Sequence, residues 1–281
     1  MYQNKIGILE DIFTQNGLKG EDVDVFTQWY QKYTKNMFDR SEMEDIQDRL
    51  THYFDMFKKY GKTPKAFVQM FRKRPAMLLR SPKTIEYNLL ENANLLNLTP
   101  QNVLDMSIKQ PTFLLGDPQK HKKNADALAD IFQIPVEKII QTAVKQPQFL
   151  YHDTKEIEKK YKLYQHCYYT GLFTLKDDTS KDRAIMKKAY HEKNEAVLQN
   201  YTERLTQRLL NDPTLLFLGI DNIRIKMGYA RFLQAQHHTS TAEVFRKSKT
   251  QIKQMLDNAP ASFKEKNKPT YRLLQQNNTK D

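Results

Sequence analysis

The residues able to do covalent or metal chemistry are few in this chain, and none of them completes a set. His191 and Glu192 are adjacent, but a zinc-hydrolase helix needs a second histidine four positions after the first, and that place holds Glu195. His237 and His238 precede "TST" and read as surface histidines. Cys167 is the only cysteine, which rules out an intramolecular disulfide and a cysteine-built zinc site, and beside His166 it reads as a small apolar filler. Asp177 and Asp178 could grip a cation but form a lone acidic pair. No Gly-x-x-x-x-Gly-Lys loop and no Gly-x-Ser-x-Gly elbow occurs. The chain reads as a non-enzyme with no cofactor, metal or small-molecule substrate.

The residues with a repeating pattern are basic. Lys73, Lys109 and Lys145 each stand two places before a proline, at intervals of 36. Around this ladder lie Arg72, Arg74 and Arg80, then Lys120, Lys122 and Lys123, then Lys155, Lys159 and Lys160, and in a fourth group Arg224 and Lys226. Clustered cations of this kind suit phosphates, whose contacts fix position without reading sequence. Lysine at a helix C-terminus also has a purely structural use, opposing the negative end of the macrodipole. In the whole chain 45 Lys and Arg face 33 Asp and Glu, a net charge of +12, which suits a polyanion or an acidic partner surface without choosing between them. Residues 1–60 hold 8 basic and 11 acidic side chains, so residues 61–281 carry +15.

What positions these cations is a repeat. "RPAMLL", "QPTFLL" and "QPQFLY" centre on Pro75, Pro111 and Pro147. Phe67, Val103 and Ile139 fall eight positions before the proline and Val68, Leu104 and Ile140 seven before; Met77, Phe113 and Phe149, then Leu78, Leu114 and Leu150, follow it. Leu89, Ala125 and Tyr161 come fourteen after, and Leu95, Ile131 and Cys167 twenty after. Such spacings describe two amphipathic helices per unit. Proline lacks an N–H and disfavours α geometry in the residue before it, so the first helix stops there. The apolar residues behind it form a plug, and "SP" at 81–82, "DP" at 117–118 and "DT" at 153–154 start the second helix. A weaker unit centres on Pro213, with Leu205, Leu215, Leu216, Met227 and Leu233, and another on Pro260, with Ile252 and Phe263. Each unit buries about five apolar side chains, roughly 10 kcal/mol, no more than its ordering costs. The units must therefore stack.

The expected fold is all-α: a right-handed-type α-solenoid of about 36-residue helical repeats behind an N-terminal helical cap. Residues 1–61 form the cap, with helices near 4–15, 21–36 and 41–60, a capping box at Ser41 and Glu44, and a core of Trp29, Tyr30, Tyr33, Phe54 and Phe57. Residues 62–263 form the array, with a charged helical insertion near 168–200 projecting from it, and residues 264–281 a disordered basic tail. The N-terminal stretch lacks the features of a secretory or organellar leader and no run approaches 18 apolar residues, so a cytoplasmic protein without membrane contact is expected.

Helical pairs or triplets with a Pro-x-Leu-Leu type junction resemble the repeats of the mitochondrial transcription termination factor family, over about residues 62–263. The resemblance implies a helical repeat protein that binds DNA or RNA along a basic groove, with a role in transcription, replication or another nucleic-acid process, and a bacterial or phage-encoded relative fits as well as an organellar one. A protein of another class, a scaffold or effector from a phage, plasmid or pathogen that grips a partner protein, fits the same solenoid.

Overall fold

In the computed structural model the described residues are 2–18, 20–24, 27–28, 43–175, 177–224 and 226–227, with 251, 254 and 258 beyond them. The expectations for Trp29, Tyr30, Tyr33, Ser41, Leu233, His237, His238, the Pro260 unit and the tail lie outside these residues. Every regular element described is helical, in two compact units, Met1–Tyr151 and His152–Asp281.

The first unit holds α1 (Tyr2–Gln15), α2 (Met43–Lys59), α3 (Pro64–Lys73), α4 (Pro82–Leu95), α5 (Pro100–Lys109), α6 (Pro118–Phe132) and α7 (Val136–Lys145). As the prolines dictate, α3, α5 and α7 each stop two residues before Pro75, Pro111 or Pro147. The plugs are single helical turns, Pro75–Leu79 and Pro147–Leu150 as 3-10 and Thr112–Leu115 as α. Pro82 and Pro118 open the second helices. Asp117 caps α6 by accepting from the N–H of Gln119, whereas Ser81 makes no side-chain cap on α4.

First helices pack side by side in one layer (α3, α5, α7), and second helices in another (α2, α4, α6). Shifted by 36, the buried Tyr53 and Met56 of α2 fall on the buried Leu89 and Asn92 of α4, and Tyr60 on Leu96 just past the helix ends, so α2 packs beside α4 as α4 packs beside α6. Phe54 and Phe57 are buried as expected, and both meet Phe67 edge-on at 5.2 and 5.5 Å.

The apolar columns are the core: Phe67, Val103, Ile139, Met77, Phe113, Phe149, Leu89 and Ala125 are fully enclosed. One column shifts. Leu95 and Ile131 are half-buried, and the next residues, Leu96 and Phe132, fill the interior instead. Each second helix then ends in a left-handed residue: Gly61 (φ 72°), Asn97 (51°) and Gln133 (54°), again 36 apart. The N–H of the following residue bonds back to the carbonyl five before it, Lys62 to Phe57, Leu98 to Ala93 and Ile134 to Ala129, the Schellman closure.

Two core columns contain a polar exception. His121 occupies the place of Ile85 and Ile157, and Asn92 that of Leu128 and Tyr164. They face each other across α4 and α6, His121 Nδ1 to Asn92 Oδ1 at 2.8 Å, with the imidazole stacked on Phe113 at 4.4 Å. Each polar group supplies the partner the other needs.

The second unit contains α8 (Thr154–Tyr169), α9 (Ser180–His191) and α10 (Glu195–Asn211), with a plug at Thr214–Phe217. Asp153 caps α8 through the N–H of Lys155. The insertion does not project. Met186 and Ala189, three apart on one face of α9, are buried, and α9 packs against both α8 and α10. Nor does Asp178 wait for a cation: its carboxylate is 1% exposed and accepts from Arg204 Nη2 (2.7 Å), Tyr168 OH (3.0 Å) and the Leu175 N–H (2.7 Å). Cys167 is buried as a filler, and its thiol is pushed up to about 11 by burial.

Candidate nucleic-acid interface

The helix-stop and plug design creates an electrostatic problem that polar side chains answer. A stopped helix leaves carbonyls without N–H partners, and a one-turn plug leaves more. At each joint the second helix of one repeat donates to the plug of the next. Arg49 Nη1 reaches Leu78 O (3.0 Å) and Tyr53 OH reaches Met77 O (3.0 Å). Asn88 Nδ2 reaches Leu114 O (2.8 Å), and Asn124 Nδ2, 36 residues on, reaches Leu150 O (2.7 Å). Tyr164 OH closes on Leu215 O in the second unit (3.0 Å).

The lysine ladder serves the first helices in the same way. Lys73 Nζ donates to Ile108 O (2.8 Å) and Lys109 O (3.2 Å), the C-terminal carbonyls of α5. Lys109 Nζ donates to Val144 O at the end of α7 (2.8 Å). Lys145 is exposed and has no such partner among the described residues. Two of the three rungs thus join neighbouring repeats and neutralise helix C-termini.

The other expected cations sort into three states. Some are paired: Arg72 with Asp22 at 3.2 Å, Lys122 with Asp126 at 2.5 Å, Lys159 with Glu156 at 2.6 Å and Arg224 with Asp221 at 3.7 Å. Two are buried, Lys160 and Lys226, and burial lowers both ammonium pKa values. Lys160 stands at the repeat position of Asn88 and Asn124. Arg74, Arg80, Lys120, Lys123, Lys145 and Lys155 are exposed and have no carboxylate partner among the described residues.

All of these unpaired cations but Lys155 belong to the first unit. A plug joins the C-terminus of each first helix to the N-terminus of the second, so both ends lie at one edge. Arg74, Arg80 and Lys120 sit at those ends, with Lys123 one turn into α6 and Lys145 closing α7. Lys83, in the first turn of α4, is exposed there too and was missed; it shares its repeat position with Lys155, which is the signal that identifies it. At this edge Lys73 and Lys109 cover the C-termini of α5 and α7 while the N-termini of α4 and α6 remain, and both effects favour an anion.

Residues 36–171 match the mTERF family model. Over this span, just under half of its length, the chain resembles the mTERF helical repeat family. The match takes in all of α2, which lies before the first proline joint. No curated protein matches the chain. Among the described residues, no group of three or more His, Cys, Asp or Glu is placed to hold a metal ion, and no helix is long and apolar enough to cross a membrane.

Proposed function

We propose that this mTERF-like protein binds DNA or RNA through phosphate contacts along the helix-end edge of residues 43–151, in the service of transcription, replication or another nucleic-acid process. The family is one of nucleic-acid-binding helical repeat proteins, which supports the class of ligand. The observation that carries the location is the sorting of cations: Arg74, Arg80, Lys120, Lys123 and Lys145 stand exposed without carboxylates, while Lys73 and Lys109 cancel the nearby carbonyl charge. Such contacts grip the backbone and give affinity without reading bases.

A fluorescence-anisotropy titration of the full chain against labelled duplex DNA, duplex RNA and single strands at low salt tests the reading. Binding to at least one, lost on Arg80→Glu, Lys120→Glu and Lys123→Glu together, is the expected result. Absence of binding to all of them defeats it.

A further inference from the structure

Helix α4 presents an outward stripe that the stacked repeats do not use. Ile85, Leu89, Asn92 and Ala93 face the interior, whereas Lys83, Tyr87, Leu90 and Asn94 face solvent. Tyr87 is 62% and Leu90 44% exposed; with Ile185 they are the exposed large apolar side chains among the described residues. Spacings of three and four put Tyr87 and Leu90 on one face, with Lys83 a turn before and Glu91 beside Leu90. Glu86, on one flank, is already held by Lys59 at 2.7 Å. Glu91, on the other, accepts from Gln119 through Oε1 at 3.1 Å, and its second oxygen has no partner among the described residues.

We propose that this face is an isologous contact between two copies of the chain. Two α4 helices laid antiparallel about a two-fold axis at Tyr87 set Tyr87 against its own copy and Leu90 against Thr84. The same arrangement sets Lys83 of one copy against Glu91 of the other, twice. Self-complementarity of this sort is what a two-fold interface requires. Lys83 in the first turn stands at the end where its own helix dipole disfavours a cation, and the second copy's Glu91 offsets that. The two apolar side chains form a small dry centre and the charges a rim, the usual anatomy of such contacts. Lys83 is shared with the helix-end edge, but Tyr87, Leu90 and Glu91 are not, and neither Leu90 nor the Glu91 carboxylate has anything to offer a phosphate. The proposal stands apart from the nucleic-acid reading and survives or fails without it.

Sedimentation equilibrium of the full chain, free of nucleic acid, from micromolar to hundreds of micromolar, is the test. The wild type is expected to show a monomer–dimer equilibrium, as a contact of this size lies at the weak end of interfaces. Tyr87→Ser with Leu90→Asn weakens it about tenfold or more. Lys83→Glu weakens it, and Lys83→Glu with Glu91→Lys restores it, circular dichroism confirming that each variant is folded. A wild type that stays monomeric throughout overturns the proposal, as does a charge swap that fails to restore association. So does a Tyr87→Ser, Leu90→Asn variant whose sedimentation is unchanged but whose nucleic-acid affinity falls, which would assign the stripe to the nucleic acid.

Discussion

The ammonium of Lys73 lies 3.2 Å from the backbone oxygen of Lys109, the residue that holds the same place one repeat later. Lys109 repeats the gesture toward α7, at Val144. A ladder with the spacing of a binding site is, for two of its rungs, a series of bonds between neighbouring helices. Lys73→Met keeps the aliphatic stem and removes the donor, so it is expected to lower stability by roughly 0.5–1 kcal/mol, the worth of an exposed helix-terminus cation. Urea unfolding checks it; an unchanged midpoint would make the contact incidental.

Binding and stability are therefore expected to separate by residue. Arg80→Glu, Lys120→Glu and Lys123→Glu touch no carbonyl staple and should leave the urea midpoint nearly unchanged while weakening nucleic-acid affinity. If five or six phosphates are met, log K falls with log salt at a slope of about −5 in the wild type, and the triple variant loses about three from that slope.

The left-handed residue at the end of α6 is a glutamine, Gln133, where the first such position has Gly61 and the second Asn97. Side chains with a Cβ are strained in this conformation by about 1–2 kcal/mol, asparagine less so. Gln133→Gly is expected to raise stability by about 1 kcal/mol despite the lost bond from its Nε2 to Asp130 O, with a corresponding rise in Tm by calorimetry. A fall would show that this bond outweighs the strain.

His121 and Asn92 form a polar pair inside two apolar columns. His121→Ile alone leaves Asn92 Oδ1 buried without its donor and should cost about 1–3 kcal/mol. Adding Asn92→Leu should recover most of the loss, which a double-mutant cycle by urea unfolding measures.

The same histidine makes stability depend on pH. Burial depresses its pKa to about 4 from 6.5. The unfolded chain then binds the proton more readily than the folded one, so stability is full above pH 6.5, declines as pH falls toward about 4, and levels off below. The decline attributable to His121 is at most about 3 kcal/mol. Comparing the pH dependence of unfolding in the wild type and in the double variant His121→Ile with Asn92→Leu isolates it, since the variant should lack that share.

Much of the architecture follows from local chemistry. Pro75, Pro111 and Pro147 end helices wherever they occur, because the ring removes an N–H and restricts the residue before it, and no distant contact can reverse that. Phe67, Val103 and Ile139 announce their burial through helical spacing alone. The shifted column at Leu96 and Phe132 was harder to read, since adjacent apolar residues at a helix end differ by only one step around the axis and packing chooses between them.

The fates of the cations were settled by stacking. Lys73 and Ile108 are 35 residues apart, and no local rule tells a lysine with four rotatable bonds whether it meets a carbonyl, a carboxylate or water. Lys160 reads as one more member of a basic cluster until the folded chain buries it. The place of α2 beside α4 was hidden as well, because no proline joint precedes it among the described residues and its 36-residue register shows only once its buried side chains are known. Periodicity and proline specify where each helix runs and which side it buries; charges acquire roles only when helices from different repeats bring donors and acceptors together.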